Sequence, residues 1–573
     1  MQTTYKTYAS ILAMLAAMPA MAQLNNTVEV TNEVKPATTD VKKVEIKTQP
    51  IKTKVKHYTM PYAVQGETLT QYAEEPLTDY HSSEKEKGNK NGYAHLSGGS
   101  HNIADGRFAY KFDMSDADAL NIDLSLQGFN GQTGEDERQN DEKWKSRFYH
   151  SRAAMRYDHF FDNGLNMYVK GYFDNDAFNY RTRPDKNIAP NRAAQRGYAD
   201  FNPFFPTDKQ RNMQGNAAIG IEPRTTNKLT ISASGEWRAF LQDRATNFSK
   251  AIGQSQWTIN ANADYAFDNE QAAGIEMVGD QITYRNSELK NHACATFTPY
   301  YRYRTDDMNI KLGLFVNTEG DVAPDLSLNY RISDSQEVYT EIKGYEVGND
   351  LYYLAYVHPY FMVRTPDDFN GRMEIEDEFH QIDARLGYRL KNDIISANIY
   401  GGYDMSENHV DIIEMTGNTG GIMMPLMEFK KNKRIYFGAD LCYTYKDLLR
   451  VEGRNRLNIE SFRQDCGWTE GSYISPAFSM DWRADFSLMK DLTLGISWNF
   501  HCYSLPDLKD NQTERLDRKN TVNLGADLRY TLPASMPLTV FVKGDNLLFQ
   551  KYDRYYGYQN IGANILGGIA ISF

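Results

Sequence analysis

The chain has 573 residues, a formal net charge of -12 and a mean hydropathy of -0.63. Its 39 Tyr, 28 Phe and 6 Trp residues stand in a sequence of which only 41% is hydrophobic. Amphipathic aromatic side chains in a hydrophilic chain are typical of proteins at a membrane interface, and the negative charge argues against a nucleic-acid partner. A large secreted all-β protein is the alternative at this stage.

Residues 1–22 have the pattern of a secretory signal peptide. Lys6 precedes an apolar run from Ile11 to Met21, and Ala20-Met21-Ala22 forms an A-x-A cleavage site. Residue 23 is Gln rather than Cys, which argues against a lipoprotein anchor. No later stretch approaches the roughly 18 consecutive apolar residues that a membrane-spanning helix needs, so the sequence predicts no such helix.

Residues 23–90 are predicted to form an extended or partly disordered periplasmic leader. They are rich in Lys, Thr and Val, they include Pro36, Pro50 and Pro61, and they hold few aromatic residues. This composition gives no convincing signal for a helix or for a folded domain.

From residue 91 to residue 573 apolar and polar residues alternate with the period of a β-strand. In KLTISASGEWRAF (228–240), Leu229, Ile231 and Trp237 share one face, and small or charged residues share the other. NIDLSLQ (121–127) and DLTLGISWNFHCY (491–503) alternate in the same way. One apolar face and one wet face are typical of transmembrane barrel strands.

Short turns and longer loops alternate along this region. Short turns are predicted at 115–117, 223–227, 305–308, 333–336, 391–393, 446–448, 489–491 and 532–537. Longer loops are predicted near 131–144, 176–210, 239–253, 317–324, 350–376, 410–433, 461–472, 504–517 and 547–561. Bacterial outer-membrane barrels have short periplasmic turns and long external loops, so the sequence predicts an all-β fold: a transmembrane antiparallel β-barrel of about 22 strands in the cell outer membrane.

The chain ends in ANILGGIAISF (563–573), and one face of this strand carries Ile565, Ile569, Ile571 and Phe573. We expect this face to meet lipid. We also expect the strand to pair with the first strand near Gly92–His101, because an unpaired edge does not occur within a bilayer. Phe573 would then lie in an aromatic belt at the periplasmic rim.

The segment VFVKGDNLLFQKYDRYYGYQNIGANILGGIAISF (540–573) resembles the end of the TonB-dependent receptor family. The matching elements are the Asp545-Asn546-Leu547 turn, Lys551-Tyr552, an aromatic loop that contains Gly, and a closing strand that ends in Phe. The resemblance implies that this strand, with Phe573 at its end, is the signal that the barrel-assembly machinery recognises.

The chain departs from this family before the barrel. A family member carries a folded plug domain there, whereas only residues 23–90 precede the barrel here, without a Gly-rich globular pattern. NGYAHLSGGSHNIADGRFAYKFDM (91–114) is similar to the start of a plug-less branch. Thr27, Val28, Glu29 and Val30 faintly resemble a TonB-contact box, which implies TonB as a partner; the alternative is an unstructured leader or a strand for another periplasmic partner.

No motif for catalysis, cofactor binding or metal binding stands out. The sequence has no Walker loop, no GxGxxG, no G-x-S-x-G and no His pair at zinc spacing, so it predicts neither an enzyme nor a cofactor nor a metal site. The four cysteines, Cys294, Cys442, Cys466 and Cys502, are interpreted mainly as free small hydrophobes, with a disulfide that involves Cys466 as the alternative.

The sequence is compatible with two functions. The first is uptake or transport across the outer membrane, and the second is an occluded barrel that acts as a scaffold or interaction partner in the envelope. An open barrel of about 22 strands would leak, since roughly 16–18 strands already enclose an aqueous channel. The candidates for the occluding element are the leader, inward-folded external loops or another chain.

Overall fold

The computed structural model describes residues 91–132, 145–179, 209–224, 228–243, 252–285, 289–361, 375–416, 424–464, 467–472, 474–505, 518–533, 538–555 and 558–573. The predicted signal peptide (1–22), the leader (23–90) and the TonB-box-like residues Thr27, Val28, Glu29 and Val30 lie outside the described residues. The prediction that a plug domain is missing also falls there, and it stays a prediction.

Strands make up most of the described part of the chain. In order they are β1 (Gly92–Gly99), β2 (Ala104–Asp113), β3 (Asp118–Gln132), β4 (Lys145–Phe160), β5 (Leu165–Asn179), β6 (Lys209–Pro223), β7 (Leu229–Asp243), β8 (Ile252–Ala266), β9 (Gln271–Arg285), β10 (His292–Arg304), β11 (Met308–Asn317), β12 (Val322–Ser333), β13 (Gln336–Val347), β14 (Glu378–Lys391), β15 (Ile395–Thr416), β16 (Met424–Tyr445), β17 (Leu449–Gln464), β18 (Gly467–Glu470), β19 (Phe478–Met489), β20 (Leu492–Cys502), β21 (Thr521–Leu532), β22 (Leu538–Asp545), β23 (Asp553–Tyr555), β24 (Tyr558–Gln559) and β25 (Asn564–Ser572). One α-helix, α1 (Leu351–Val357), lies between β13 and β14, and a 3-10 turn (Ser100–Asn102) joins β1 to β2.

Within the described residues, 22 of these strands form one closed antiparallel barrel. Each barrel strand pairs with its neighbours along the chain, while β18 is a short addition to β17, and β23 and β24 form a separate hairpin. β25 closes the ring against β1, with Tyr93 opposite Ser572 and Gly99 opposite Leu566. The predicted all-β fold, the strand number and the closing pair are confirmed.

The outer surface of the barrel is apolar and the inner surface is polar. On β8, Trp257 and Ile259 point outward and are 58% and 66% exposed, whereas Gln256 and Asn260 point inward. Trp237 of β7 is directly opposite Trp257, with 6.5 Å between the ring centroids. An apolar surface that surrounds a closed barrel belongs in a bilayer, so the chain is an outer-membrane barrel, as predicted.

Among the described residues, no helix combines the length and the apolar character that crossing a membrane requires.

The two ends of the barrel differ in their connections. At one end, which we call the turn end, connections of two to five residues join the strands, and both termini of the barrel lie there. All the predicted short turns lie at this end; two more, 161–164 and 267–270, were not predicted. The opposite end, the loop end, carries the longer connections, and it is the predicted external end.

Two of the predicted long loops are shorter than expected. The connection between β11 and β12 is the four-residue turn 318–321, in which Gly320 has a φ of 98°. The predicted loop 410–433 shrinks to 417–423, because β15 and β16 each continue for 22 residues. Among the described cysteines, Cys294, Cys442 and Cys502 are free thiols as interpreted, and Cys466 lies outside the described residues.

Candidate functional site

The connection between β13 and β14 turns into the barrel at the loop end. Its described part is residues 348–361, which we call the lid, and residues 375–377, which lead into β14. The helix α1 begins after Asp350, whose Oδ1 accepts a hydrogen bond of 2.6 Å from the Tyr353 N–H. Asp is a favoured residue at this position because its carboxylate satisfies an N–H that has no partner within the helix.

The lid buries most of its apolar side chains, which is unusual for a loop. The buried hydrophobic residues of the lid that form this cluster are Leu351, Tyr353, Leu354, Ala355, Val357, Tyr360 and Phe361. A helix that is apolar on nearly all sides is stable only when other elements surround it. The lid is therefore an internal element of the barrel rather than a surface loop.

The partners of the lid come from opposite walls of the barrel. They form one apolar cluster with it and include Phe178 on β5, Phe240 on β7, Ile252 on β8, Val410 on β15, Ile474 after β18 and Tyr558 on β24. In a ring of 22 strands, β7 and β17 lie almost half the circumference apart. Such a barrel measures roughly 40–45 Å between opposite backbones, so the cluster extends across the lumen.

A pair of hydrogen bonds ties the helix of the lid to the wall. Gln254 on β8 donates from Nε2 to Asp350 Oδ2 at 2.8 Å, and its Oε1 accepts from the Leu351 N–H at 2.8 Å. Farther along the lid, Asn212 on β6 donates from Nδ2 to the Pro359 carbonyl at 3.3 Å. Buried polar groups need such partners, so the wall and the lid satisfy each other.

Arg238 on β7 is the cation of the wall that interacts with Tyr352 and Asp350 of the lid. The Arg238 guanidinium lies 4.7 Å from the centroid of the Tyr352 ring, which is a cation–π contact. Burial raises the pKa of the Asp350 carboxyl; the hydrogen bonds from Tyr353 and Gln254, together with the charge of Arg238, oppose that rise. A buried carboxylate beside one guanidinium is a group whose protonation depends on whether the lid is closed.

The start of the lid, which we call its root (Asn349), is hydrogen-bonded to β15 and to the residues that lead into β14. Asn349 is buried, and its Nδ2 donates to the carbonyls of Asn408 at 2.7 Å and Glu376 at 3.0 Å. The Asn349 N–H donates to Asp377 Oδ1 at 3.2 Å. These bonds join the outgoing chain of the lid to its returning chain and to β15.

A second loop meets the far end of the lid. Tyr558, on the hairpin of β23 and β24, stacks on Tyr360 with 3.7 Å between the ring centroids. The His358 ring lies 5.4 Å from Tyr555 and 5.8 Å from Tyr558. Two loops that are far apart in the sequence thus form one aromatic contact inside the mouth of the barrel.

The Asp545-Asn546-Leu547 motif starts this second loop, and it is a turn as the resemblance implied. Asn546 has a φ of 51°, and its N–H donates to Asn523 Oδ1 at 2.9 Å. Its Oδ1 accepts from the Gln550 N–H at 3.0 Å. Asn adopts this left-handed conformation more readily than most residues, which explains why it stands where the chain turns.

A buried charged network joins β14, β15 and β16 on the inner wall. Glu378 Oε1 lies 2.6 Å from His409 Nδ1 and 3.2 Å from His380 Nε2. His380 Nδ1 lies 2.7 Å from Asp404 Oδ1, and Arg434 Nη2 lies 3.4 Å from Asp404 Oδ2. Each charge has an opposite neighbour, and removal of one partner from such a buried pair costs about 3–5 kcal/mol. We interpret this network as a structural tie of the wall.

The wall between the lid and the turn end is polar. Its ion pairs include Arg156 with Glu222, Lys311 with Asp325, Arg302 with Asp264, and Arg483 with Asp527. Tyr339 lies flat over Gly387 on the neighbouring strand, where a Cβ would come within 2.3 Å of the ring, and Arg389 lies 3.9 Å from the ring centroid. This lining suits water and hydrophilic solutes rather than lipid.

The predicted lipid-facing residues of the last strand lie on the outer surface. Ile565, Ile569 and Phe573 are exposed, and Ile571 is half-buried. Phe573 exchanges two backbone hydrogen bonds with Gly92 and stacks on Tyr110, with 5.8 Å between the ring centroids. Their role as an assembly signal stays a prediction.

Reasoning from the sequence placed a long loop at 350–376 but missed its inward fold. The signal was DLYYLAYVHPYF (350–361), an apolar and aromatic run inside a predicted external loop. The predicted loop 131–144, by contrast, is strongly charged. A loop that is apolar where its neighbours are charged has to bury its side chains somewhere.

No family model and no curated protein matches the sequence. Solved structures do match in fold. The FrpB iron transporter of Neisseria meningitidis has a TM-score of 0.63 at 10% identity, over 85% of this chain and 82% of that chain. The siderophore receptor PirA of Acinetobacter baumannii has 0.61 at 10%, over 84% and 80%. The ferric-catecholate import receptor Fiu of E. coli has 0.57 at 11%, over 85% and 82%. The barrel has the fold of the TonB-dependent receptors, which confirms the predicted resemblance at the level of the fold.

Proposed function

We propose that this protein takes up a solute across the outer membrane and that the lid is the gate of its passage. The observation that carries the proposal is the lid itself: an apolar cluster that extends across the lumen at the loop end. A barrel of this width needs an occluding element if the membrane is to stay sealed. The inward-folded loop was one of the three occluding elements considered from the sequence.

The lid is suited to move as a unit. The chain of the lid continues from Val347 of β13 on one side and leads through residues 362–377 to β14 on the other. Its described hydrogen bonds to β8 are the two made by one side chain, Gln254, and Ile252 of the same strand packs against it. Release of the apolar contacts and of the hydrogen bonds from Gln254 and Asn212 would let the lid swing outward about its start at Asn349, without any change in the ring of strands.

Ferric chelates of the siderophore class are the first substrates to test. FrpB is an iron transporter, Fiu an import receptor for ferric catecholates, and PirA a siderophore receptor. TonB, if Thr27, Val28, Glu29 and Val30 contact it, would supply the energy, and we propose no enzymatic activity. Membrane lipid and the barrel-assembly machinery remain the other expected partners.

The alternative function is a scaffold with a static occluding element. The stack of Tyr558 on Tyr360 and the burial of α1 favour it, because they make an opening of the mouth costly. In that case the barrel would hold a partner at the cell surface or in the periplasm and would pass no solute.

Conductance in planar bilayers separates the two functions. We would compare the mature protein with variants that lack residues 23–90, that have a short Gly-Ser linker in place of 349–376, or that carry both changes. The gate proposal expects a large steady pore when the lid is replaced, and rare open events in the mature protein. Closed channels in every variant would refute the gate and support the scaffold.

Uptake is the complementary test. Cells that lack their own ferric-siderophore receptors and express the mature protein should accumulate labelled iron from a ferric-catecholate chelate. No accumulation from a panel of ferric chelates, together with a lid that never opens, would refute the uptake proposal.

A further inference from the structure

A mixed group of metal-binding side chains lies at the loop end, apart from the lid contacts described above. His292 and Cys294 stand two residues apart on β10, so their side chains share one face of the strand. Glu319 lies in the turn that follows β11, the strand that pairs with β10. One donor atom from each of the three residues lies within 4.8 Å of the other two.

Two more carboxylates surround this group. The Cys294 Sγ lies 3.3 Å from Glu346 Oε2, and the His292 Nε2 lies 3.1 Å from Asp377 Oδ2. His292 Nδ1 lies 3.8 Å from Glu319 Oε1. A carboxylate beside a ligating His is a usual second layer of a metal site, because it fixes the orientation of the ring. A carboxylate beside the thiol supplies a group that can accept the proton released on metal binding.

The cluster is enclosed on one side and open on the other. Cys294 is only 7% exposed, whereas the side chain of Glu319 is 45% exposed. An ion could therefore enter from the solvent at the loop end and reach the thiol without any rearrangement of the barrel strands.

We propose that the loop end binds one divalent transition-metal ion of the Zn²⁺ class through His292, Cys294 and Glu319. Imidazole, thiolate and carboxylate are the ligands that Zn²⁺ accepts in proteins, and they exclude Ca²⁺ and Mg²⁺, which prefer oxygen alone. A water molecule takes the fourth position.

The distances fit this assignment after a small closure. Ligand atoms at neighbouring corners of a tetrahedral zinc site lie roughly 3.4–3.6 Å apart, as the Zn–N and Zn–S bond lengths require. The separations of up to 4.8 Å between His292, Cys294 and Glu319 shorten to that range through side-chain rotation, chiefly of the exposed Glu319. On binding, the thiol of Cys294 loses its proton to Glu346 or to water.

The proposed metal site lies next to the lid. Asp377 contacts His292 through Oδ2 and accepts the Asn349 N–H at the root of the lid through Oδ1. Glu346 is the penultimate residue of β13, just before the lid. Metal binding does not depend on the proposed uptake function, so a negative result for one proposal leaves the other untouched.

Cobalt binding to the purified full chain in detergent tests the proposal. Titration with CoCl₂ should give one saturable site with a near-ultraviolet thiolate-to-cobalt charge-transfer band, and ZnCl₂ should displace the cobalt. Cys294→Ser should abolish the band, and His292→Asn or Glu319→Gln should weaken binding about 10-fold or more. The heat-dependent shift of the barrel on gels checks that each variant is folded.

A matched control is available on another strand. Cys442 also lies near a carboxylate, with its Sγ 3.9 Å from Glu452 Oε1, and it belongs to no group of three metal-binding side chains among the described residues. Cys442→Ser should leave the cobalt band unchanged. Absence of saturable binding in the wild type, or a band that persists in Cys294→Ser, would overturn the proposal.

Discussion

Replacement of Gln254 by Ala should unlatch the lid. The change removes two hydrogen bonds of 2.8 Å and leaves Asp350 Oδ2 and the Leu351 N–H buried without that partner. Each lost bond with a buried partner costs about 1–2 kcal/mol, so the closed lid loses about 2–4 kcal/mol. Because about 1.4 kcal/mol is a factor of ten, the ratio of open to closed channels should rise roughly 30- to 700-fold.

The assay is the open fraction of single channels in planar bilayers, and the control lies on the same strand. Gln256 is also buried in the inner wall, but its Nε2 donates to Asp280 of β9 at 3.1 Å rather than to the lid. Gln256→Ala should destabilise the wall without an increase in the open fraction. Equal open fractions in the Gln254→Ala and Gln256→Ala variants would refute the latch.

Three further predictions concern the lid and the wall. Burial raises the pKa of Asp350 above the ordinary value of 3.8, so the closed lid disfavours its charged form. As the pH falls from above the raised pKa towards 3.8, Asp350 gains a proton in the closed lid before it does so in the open lid. This stabilises the closed lid, so the open fraction should fall over this range, and Asp350→Asn should remove this part of the pH profile. Tyr558→Ala removes a buried ring that stacks on the lid, and such a change costs about 3–5 kcal/mol. The lid of this variant should therefore be cleaved by protease in intact vesicles. Resistance equal to that of the wild type would contradict the stacking role. Gly387→Ala should lower the unfolding temperature, because a Cβ there meets the Tyr339 ring at 2.3 Å and overpacking costs about 1–3 kcal/mol, whereas Gly235→Ala, with nothing within 4 Å, should not.

The barrel could be predicted from the sequence because lipid imposes one rule on every strand. The outward residues have to be apolar and the inward residues face water, so a period of two marks most of the strands between residues 91 and 573. Closure of the ring also follows, because a free edge within the bilayer would leave backbone groups without partners. These are local patterns and general constraints, which a single sequence displays.

The ends of β15 and β16 were mispredicted for an identifiable reason. Their register shifts between Ser406 and His409 and again between Ile412 and Glu414. Each irregularity adds a residue to one strand and moves the following side chains to the other face. The alternation therefore fails in the sequence although the hydrogen-bonded pairing continues to Thr416.

The lid and the proposed metal site depend on contacts between distant parts of the chain. Leu351 belongs to a cluster with Phe240 and Ile252, which stand on strands on another side of the ring. In the proposed metal site, His292 and Cys294 are close in sequence, whereas Glu319 comes from the turn between β11 and β12. A search for ligand spacing along one sequence does not find a set that the ring of strands assembles.

The seam between β1 and β25 has a consequence for the kinetics of assembly. It pairs Tyr93 with Ser572, so the first and the last strand of the ring become neighbours only when the whole chain is in place. Contacts between residues this far apart in sequence carry a large loop-closure entropy and form late. Until then both edges offer a row of unpaired backbone groups to any extended chain nearby. The slow step of folding is thus also the step at which the barrel is most open to misassociation, and substitutions that weaken the seam should prolong that step.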